Sequence, residues 1–316
     1  MSHDTSRRDF LRHSAALAGA AALPFTSPEL LADSRPVPAA APAAPLAQEG
    51  PVNIGVIGTG GMGTGHLEAL VTAARDGRAN VRVTAIADIC EPRLVEAKKK
   101  AEAVQGENTV TTYTAYQDLL ARPDLHGVVI ASPEHWHGQM AEDAILAGKD
   151  VYVEKPMTLR LREALRLRDV VAKNPAALVV VGTQYVMIPS YNEARQLIAD
   201  GAIGKPVWSQ TSYCRNSKDG EWLYYGIDPT WQPGVNLDWD AWCGPLGKAP
   251  YNAEIYARWR RYRRYSTGII GDLLVHRITP LIMAMDLGWP TRVTAAGGHY
   301  IDKAMENHDQ INITVE

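Results

Sequence analysis

The sequence predicts an α/β protein whose first folded unit is a doubly wound parallel sheet, and three observations carry that expectation. A β-branched run, Val52-Asn53-Ile54-Gly55-Val56-Ile57, leads at once into Gly58-Thr59-Gly60-Gly61-Met62-Gly63 and then into a helical stretch ending near Arg75. Further short apolar runs alternate with helical stretches as far as Gly182, the pattern of parallel strands joined by crossover helices. A carboxylate, Asp88, stands at the end of the second run, Val81 to Ala87. With 316 residues, 46% hydrophobic and 21% charged, the chain is long enough for two domains and is not mainly disordered.

The elements follow in order. Ser6-Arg7-Arg8-Asp9-Phe10-Leu11-Arg12 precedes a weakly apolar stretch, Ala15 to Leu23, and resembles a twin-arginine export signal. Ala-x-Ala cleavage patterns occur at Ala39-Ala40-Ala41 and at Ala41-Pro42-Ala43, within a Pro/Ala-rich linker. Both phenylalanines, Phe10 and Phe25, lie in this leader, so the folded body builds its core without Phe. The three cysteines, Cys90, Cys214 and Cys243, form no disulfide framework. Twin-arginine export carries proteins that folded beforehand, which lets a cofactor be loaded in the cytosol.

In the strand–turn–helix context, the glycines permit a tight turn and close backbone approach, while the helix N-terminus offers free N–H groups to a pyrophosphate. Asp88 lies further from this loop than the usual spacing of about 20 residues. Its expected role is to accept hydrogen bonds from an adenosine ribose and to repel a 2′-phosphate, which favours NAD over NADP; the plain alternative is a helix cap. Later strands are expected at Val128 to Ala131, Asp150 to Val153 and Ala176 to Gly182, with a helix from Leu161 to Lys173. Ligands in such sheets lie beyond the strand C-termini. Ser132-Pro133-Glu134-His135-Trp136-His137, Glu154-Lys155-Pro156 and Thr183-Gln184-Tyr185 should therefore converge on one crevice.

These segments, with Gly271-Asp272-Leu273-Leu274-Val275-His276, resemble the glucose–fructose oxidoreductase, inositol dehydrogenase and MocA (Gfo/Idh/MocA) family, in its exported branch. The resemblance implies a signal and linker over 1–50, an NAD-binding Rossmann domain over 51–182, and a substrate and oligomerisation domain over 183–316. That last domain is α/β with an open, mainly antiparallel sheet; the chain ends in the strand-like run Gln310 to Val315, where the family's sheet normally needs further strands, so the expectation is either a fragment or an unusually short member with an exposed edge. The resemblance also implies a cis bond before Pro156 and homo-oligomers. It places Gly58, Gly60, Gly61, Met62, Gly63, Asp88, Ser132, Pro133, Trp136, His137, Glu154, Lys155 and Gln184 at the cofactor. Lys155, Tyr185, Asp272 and His276 fall to the substrate. Leu274, Thr279 and Arg277 depart from the family's pattern.

Lys155 can lower the pKa of a substrate hydroxyl, or relay its proton, as hydride leaves the same carbon. Asp272 and His276 share a face if their segment is helical, so Asp could orient the imidazole or bind a hydroxyl. A metal would need more ligands, and none is expected. The aromatic region from Trp208 to Tyr265 suits sugar faces, although core and interface packing account for most of it. Arg258 to Arg264 is a basic–aromatic run, expected mainly as a solvated or subunit-facing surface; a sugar acid or phosphosugar is an alternative. The net charge of −3 and the export signal argue against nucleic acid, and no apolar run is long enough to span a membrane. The expected function is a sugar-directed NAD(P)-dependent oxidoreductase with retained cofactor. A glycosidase working by transient oxidation, or a non-catalytic sugar or nucleotide binder, are the alternatives.

Overall fold

The computed structural model describes residues 50–215 and 217–316, so the export signal and nearly all of the linker lie outside the described residues. Six parallel strands form the main sheet: β1 (Val52–Ile57), β2 (Val81–Ala87), β3 (Thr111–Tyr113), β4 (Gly127–Ile130), β5 (Asp150–Val153) and β6 (Val179–Val181). Their order is β3-β2-β1-β4-β5-β6. The chain therefore reverses its winding direction between β1 and β4, which opens a crevice at their C-terminal ends.

The period-2 alternation of strand side chains explains the two cores on either side of this sheet. Val56 and Val129 face one side, with Leu67 and Val71 of α1 (Gly61–Arg75) and Leu94 of α2 (Glu91–Gln105). Their neighbours Ile57, Val128 and Ile130 face the other. There they meet Leu119 of α3 (Tyr116–Leu120), Met140 and Ile145 of α4 (Glu134–Leu146), and Leu167 of α5 (Leu161–Lys173). The expected Ala176–Gly182 strand shrinks to three residues, because Asn174 closes the preceding helix and the intervening residues form a turn.

Beyond β6 the chain is sparser in regular structure. A 3₁₀ turn (Gln184–Met187) leads to α6 (Pro189–Ala199), followed by long irregular stretches and the short helices α7 (Trp239–Cys243) and α8 (Ala253–Ala257). A π-helical turn, Ile270–Leu274, runs directly into α9 (Val275–Met285). Of the open antiparallel sheet expected here, the described residues hold two paired strands, β7 (Val293–Gly298) and β8 (Gln310–Val315).

A third core joins the two halves. Cys90, at the start of α2, packs with Leu237, Trp239, Trp242, Cys243, Tyr256 and Tyr265. Trp239 and Trp242 stack at 4.6 Å, and Trp242 meets Tyr265 at 4.8 Å. Backbone hydrogen bonds from Asp238 to Ile89 and from Glu91 to Asn236 stitch this cluster to the end of β2. All three cysteines are free thiols. Among the described residues no helix is long and apolar enough to cross a membrane.

Leu119 is fully buried in the second of the sheet's cores. Leu119→Ala should cost about 2–5 kcal/mol, read as a lower denaturant midpoint with an unchanged m-value.

Candidate functional site

The crevice at the switch point is a cleft of about 1000 Å³. Its floor is the glycine loop. Gly58 has φ +86, and a Cβ there would lie 2.7 Å from Ser132 N, so the turn packs directly on the chain leaving β4. At Gly63 a Cβ would come within 1.8 Å of Gly58 O, which fixes how closely α1 approaches β1. Gly61, by contrast, has nothing within 4 Å of its Cβ position. The first turn of α1 has no side-chain cap, so its free N–H groups face open space, the arrangement that receives a phosphate.

Asp88 lines the same cleft and ties its floor together. Its Oδ2 accepts hydrogen bonds from Thr59 N at 2.6 Å and Thr59 Oγ1 at 2.9 Å, and its Oδ1 accepts one from Cys90 N at 2.9 Å. The ribose and capping roles weighed for it are thus not exclusive, since a carboxylate offers about four acceptor sites. Arg93 lines the cleft beside it, its guanidinium 4.9 Å from the rings of both Trp231 and Tyr256, which meet each other edge to face.

The wall comes from the ends of β4 and β5. His137 bridges them: Nε2 lies 2.8 Å from Ser132 O and Nδ1 lies 2.7 Å from Pro156 O. Burial pushes its pKa down. Trp136 Nε1 donates to the carbonyls of Ala241 and Trp242, and His135 Nε2 lies 2.7 Å from Trp242 O. These contacts pin the 241–244 segment over the cleft. Burial drives His135 down to about 4. Glu154 Oε1 pairs with His66 Nε2 at 2.8 Å. Burial would raise the Glu154 carboxyl, but His66 holds it below the usual range.

Lys155 closes the cleft. The Lys155–Pro156 bond is cis. Its Nζ donates to Asp272 Oδ1 at 3.0 Å and to Asp272 O at 2.9 Å, with only 8% of the side chain exposed. Arg260 Nε donates to the same Oδ1 at 2.9 Å. Burial alone would raise the Asp272 carboxyl; Arg260 and Lys155 outweigh it and keep it low, hence ionised. His276 packs against Tyr185 at 5.3 Å and Tyr213 at 6.2 Å. Burial, and then the Lys155 charge, lower its pKa, so it is neutral at pH 7.

Lys155, Asp272, His276 and Tyr185 are therefore brought together, but Asp272 pairs with the two cations and not with His276. The π-helical turn that carries Asp272 is wound wider than an α-helix, which shifts the face it shares with His276. Gly58, Gly60, Gly61, Met62, Asp88, Ser132, Pro133, Trp136, His137, Glu154 and Lys155 all line the cleft. Gly63 is buried beneath its floor, and Gln184 is exposed and outside its lining. The basic run is a correction: Arg260 lines the cleft, and Arg261 is buried in an ion pair with Asp302, while Arg263 and Arg264 are exposed. Spacing within the run carries no sign of which arginine turns inward. Glu134, expected at the crevice only as part of its segment, has a role the sequence does not show. It is fully buried, and its Oε1 accepts from Thr267 N and Oγ1, tying α4 to the segment that carries Asp272.

Residues 52–183 match the profile described as "Oxidoreductase family, NAD-binding Rossmann fold", and residues 4–24 match the twin-arginine translocation signal. Residues 52–183 are thus an NAD-binding Rossmann domain of the Gfo/Idh/MocA oxidoreductase type, and the signal at residues 4–24 marks the chain for export by the twin-arginine route. It is 29% identical over 177 residues to an inositol 2-dehydrogenase/D-chiro-inositol 3-dehydrogenase of Lactiplantibacillus plantarum, covering 56% of this chain and 48% of that protein. A glycosyl hydrolase family 109 protein of Shewanella pealeana is 28% identical over 243 residues, covering 70% of this chain and 50% of its own. The chain spans about half the length of the curated relatives it matches. In fold it resembles an NAD binding oxidoreductase from Klebsiella pneumoniae (TM-score 0.58, 24% identity, 84% of this chain and 63% of that one).

Two expectations follow from this geometry. Gly63→Ala forces α1 away from β1, so NAD binding should weaken about tenfold or more, measured by titrating cofactor-stripped protein. Burial raises the Glu134 carboxyl to about 7 despite its bonds from Thr267. It stays protonated in the folded chain where the unfolded chain has ionised it, so its contribution to stability falls as pH rises from about 4.5 to about 7. Unfolding curves across that window should show Glu134→Gln lacking this decline, which amounts to at most about 3 kcal/mol.

Proposed function

We propose that the chain is an exported NAD-dependent oxidoreductase that acts on a sugar or cyclic polyol and keeps its cofactor bound. The observation that carries this reading is the buried Lys155 ammonium, set at the end of β5 in the wall of the cleft and fixed by Asp272. The cleft suits a dinucleotide: two glycine positions have no room for a Cβ, Gly61 stands beside open space, and an uncapped helix start faces it. Asp88 sets a carboxylate where a 2′-phosphate would be repelled, which favours NAD. When bound, NAD supplies a nicotinamide ring that accepts hydride from the carbon bearing the substrate hydroxyl.

The chain's own residues handle the proton and the charge. Lys155 donates a hydrogen bond to that hydroxyl oxygen and stabilises its developing negative charge. His276, kept neutral by burial and by Lys155, accepts the hydroxyl proton. Asp272 fixes the Lys155 amine, and Tyr185 and Tyr213 flank the imidazole and offer flat faces to a ring substrate.

Outside the cytosol no appreciable NAD pool exists, so a cofactor that left would not be replaced. Two cycles restore it in place. In one, a second substrate takes the hydride back. In the other, the oxidised substrate expels its aglycone by elimination, water adds across the double bond that this leaves, and the ketone is then reduced again, which hydrolyses a glycosidic bond. The relative named for glycosyl hydrolase family 109 favours keeping this second cycle in view.

Purified holoenzyme should show bound cofactor turning to its reduced form, by absorbance near 340 nm, on mixing with polyols. Lys155→Ala should slow that step by about 10²–10⁴-fold while leaving cofactor bound. Equal rates in the variant remove the role given to Lys155. Release of phenol from aryl glycosides without added NAD selects the elimination cycle.

A further inference from the structure

Around Asp272, at the Lys155 end of the cleft, cations outnumber the carboxylate they share. Lys155 and Arg260 share one oxygen of Asp272. Arg277, on the next position after His276, has its guanidinium 5.0 Å from the Tyr185 ring and 5.5 Å from the Tyr213 ring. Its buried Nε has no hydrogen-bond partner, and no carboxylate pairs with it among the described residues. The other carboxylates nearby are engaged: Glu154 with His66, and Glu221 with Arg215.

Arg260 is arranged to use this surplus. Only its Nε is bonded; its two terminal nitrogens have no hydrogen-bond partner among the described residues, although the side chain is just 21% exposed and lines the cleft. Its guanidinium lies 4.2 Å over the Trp259 ring and 5.7 Å from the Tyr225 ring, which fixes the plane. A flat guanidinium held by stacking, with a free two-nitrogen edge, matches a carboxylate bidentately and a neutral hydroxyl poorly.

We infer that the substrate is a carboxylated sugar, of the uronate class, whose carboxylate docks on the free edge of Arg260 beside Lys155. This rests on the oxidoreductase reading for what happens to the sugar, but not for the carboxylate site itself. Because Lys155 and Arg260 meet at one Asp272 oxygen, the docked carboxylate lies next to the amine that holds the reacting hydroxyl. Asp272 does not repel it, since two cations outweigh its single charge. Arg277 adds long-range attraction from the His276 side. Arg260 is thus a specificity residue, and the neutral hydroxyls of the ring fall to Lys155, His276 and the tyrosines.

The test compares D-glucuronate and D-galacturonate with D-glucose, D-galactose and glucose 6-phosphate on the holoenzyme. Reduction of bound NAD gives kcat/KM, and ligand-induced change in melting temperature gives binding without turnover. The uronates should be preferred over their parent sugars by roughly 10- to 100-fold, and should raise the melting temperature where the parent sugars do not. Arg260→Gln should collapse both differences, mainly through KM. Arg260→Lys, which keeps the charge and loses the fork, should retain a small part of the preference, and Arg277→Gln should lower it less than Arg260→Gln does. No uronate preference, one that survives in Arg260→Gln, or a stronger preference for glucose 6-phosphate overturns the inference. If uronates bind through Arg260 but no sugar reduces the bound cofactor, the carboxylate site stands and the oxidoreductase reading falls.

Discussion

Asp272 Oδ1 accepts hydrogen bonds from Lys155 and from Arg260, and the rest of the site is arranged around that shared oxygen. Lys155 comes from the end of β5, Arg260 from the 3₁₀ turn after α8, and Asp272 from the π-helical turn before α9. Three separate elements thus meet at one buried carboxylate. Removing one partner of such a pair leaves an uncompensated buried charge, typically about 3–5 kcal/mol. Here the cost is tempered because a second cation stays. The arrangement is weak as a source of stability and strong as a source of position: the Lys155 amine has few places to go.

Position is reinforced from behind. Glu134 begins α4 and accepts two hydrogen bonds from Thr267, three residues before the π-helical turn. His137, one turn further along α4, bridges the chain leaving β4 to Pro156, next to Lys155. Trp136 and His135 hold the carbonyls of 241–242. A single helix start therefore sets the glycine loop's neighbour, the Lys155 backbone, the Asp272 segment and the strap across the cleft. On the opposite side, Arg93 against the Trp231 and Tyr256 rings and the strand-like bridge of Cys90 to Leu237 draw the same strap onto the end of β2. A cleft closed from both ends in this way suits a cofactor that stays.

The parts legible in the sequence were those whose meaning is local. The glycine loop is legible because backbone clearance at Gly58 and Gly63 is set within a few residues and by the strand beside them. Lys155 is legible because a strand end in a parallel sheet has a fixed relation to the crevice. Burial defeats such reading. Nothing within Arg258 to Arg264 says that position 260 turns into the cleft, that 261 is buried against Asp302, and that 263 and 264 stay in solvent. That partition is made by partners far along the chain. The role of Glu134 is hidden for a similar reason: its partner, Thr267, lies 133 residues away. The Asp272–His276 spacing implied one helical face, and the π-helical turn altered the register. The edge strand β3 escaped notice because Thr111–Tyr113 is three residues long with two exposed threonines.

Retention of the cofactor and the proton chemistry constrain each other on the proposed reading. Oxidation of a hydroxyl leaves one proton on His276 and one hydride on the ring. If the hydride returns to a carbonyl in the same cleft, the same imidazole returns the proton, so a complete cycle needs no net proton from solvent. That favours a base that is neutral at rest, buried and beside a fixed cation, which describes His276. A carboxylate in that place would take up the proton near neutral pH less readily and would pair with Lys155 itself. The division of labour follows from electrostatics: the permanent negative charge is spent on holding the two cations, and the proton carrier stands apart from it as a neutral ring.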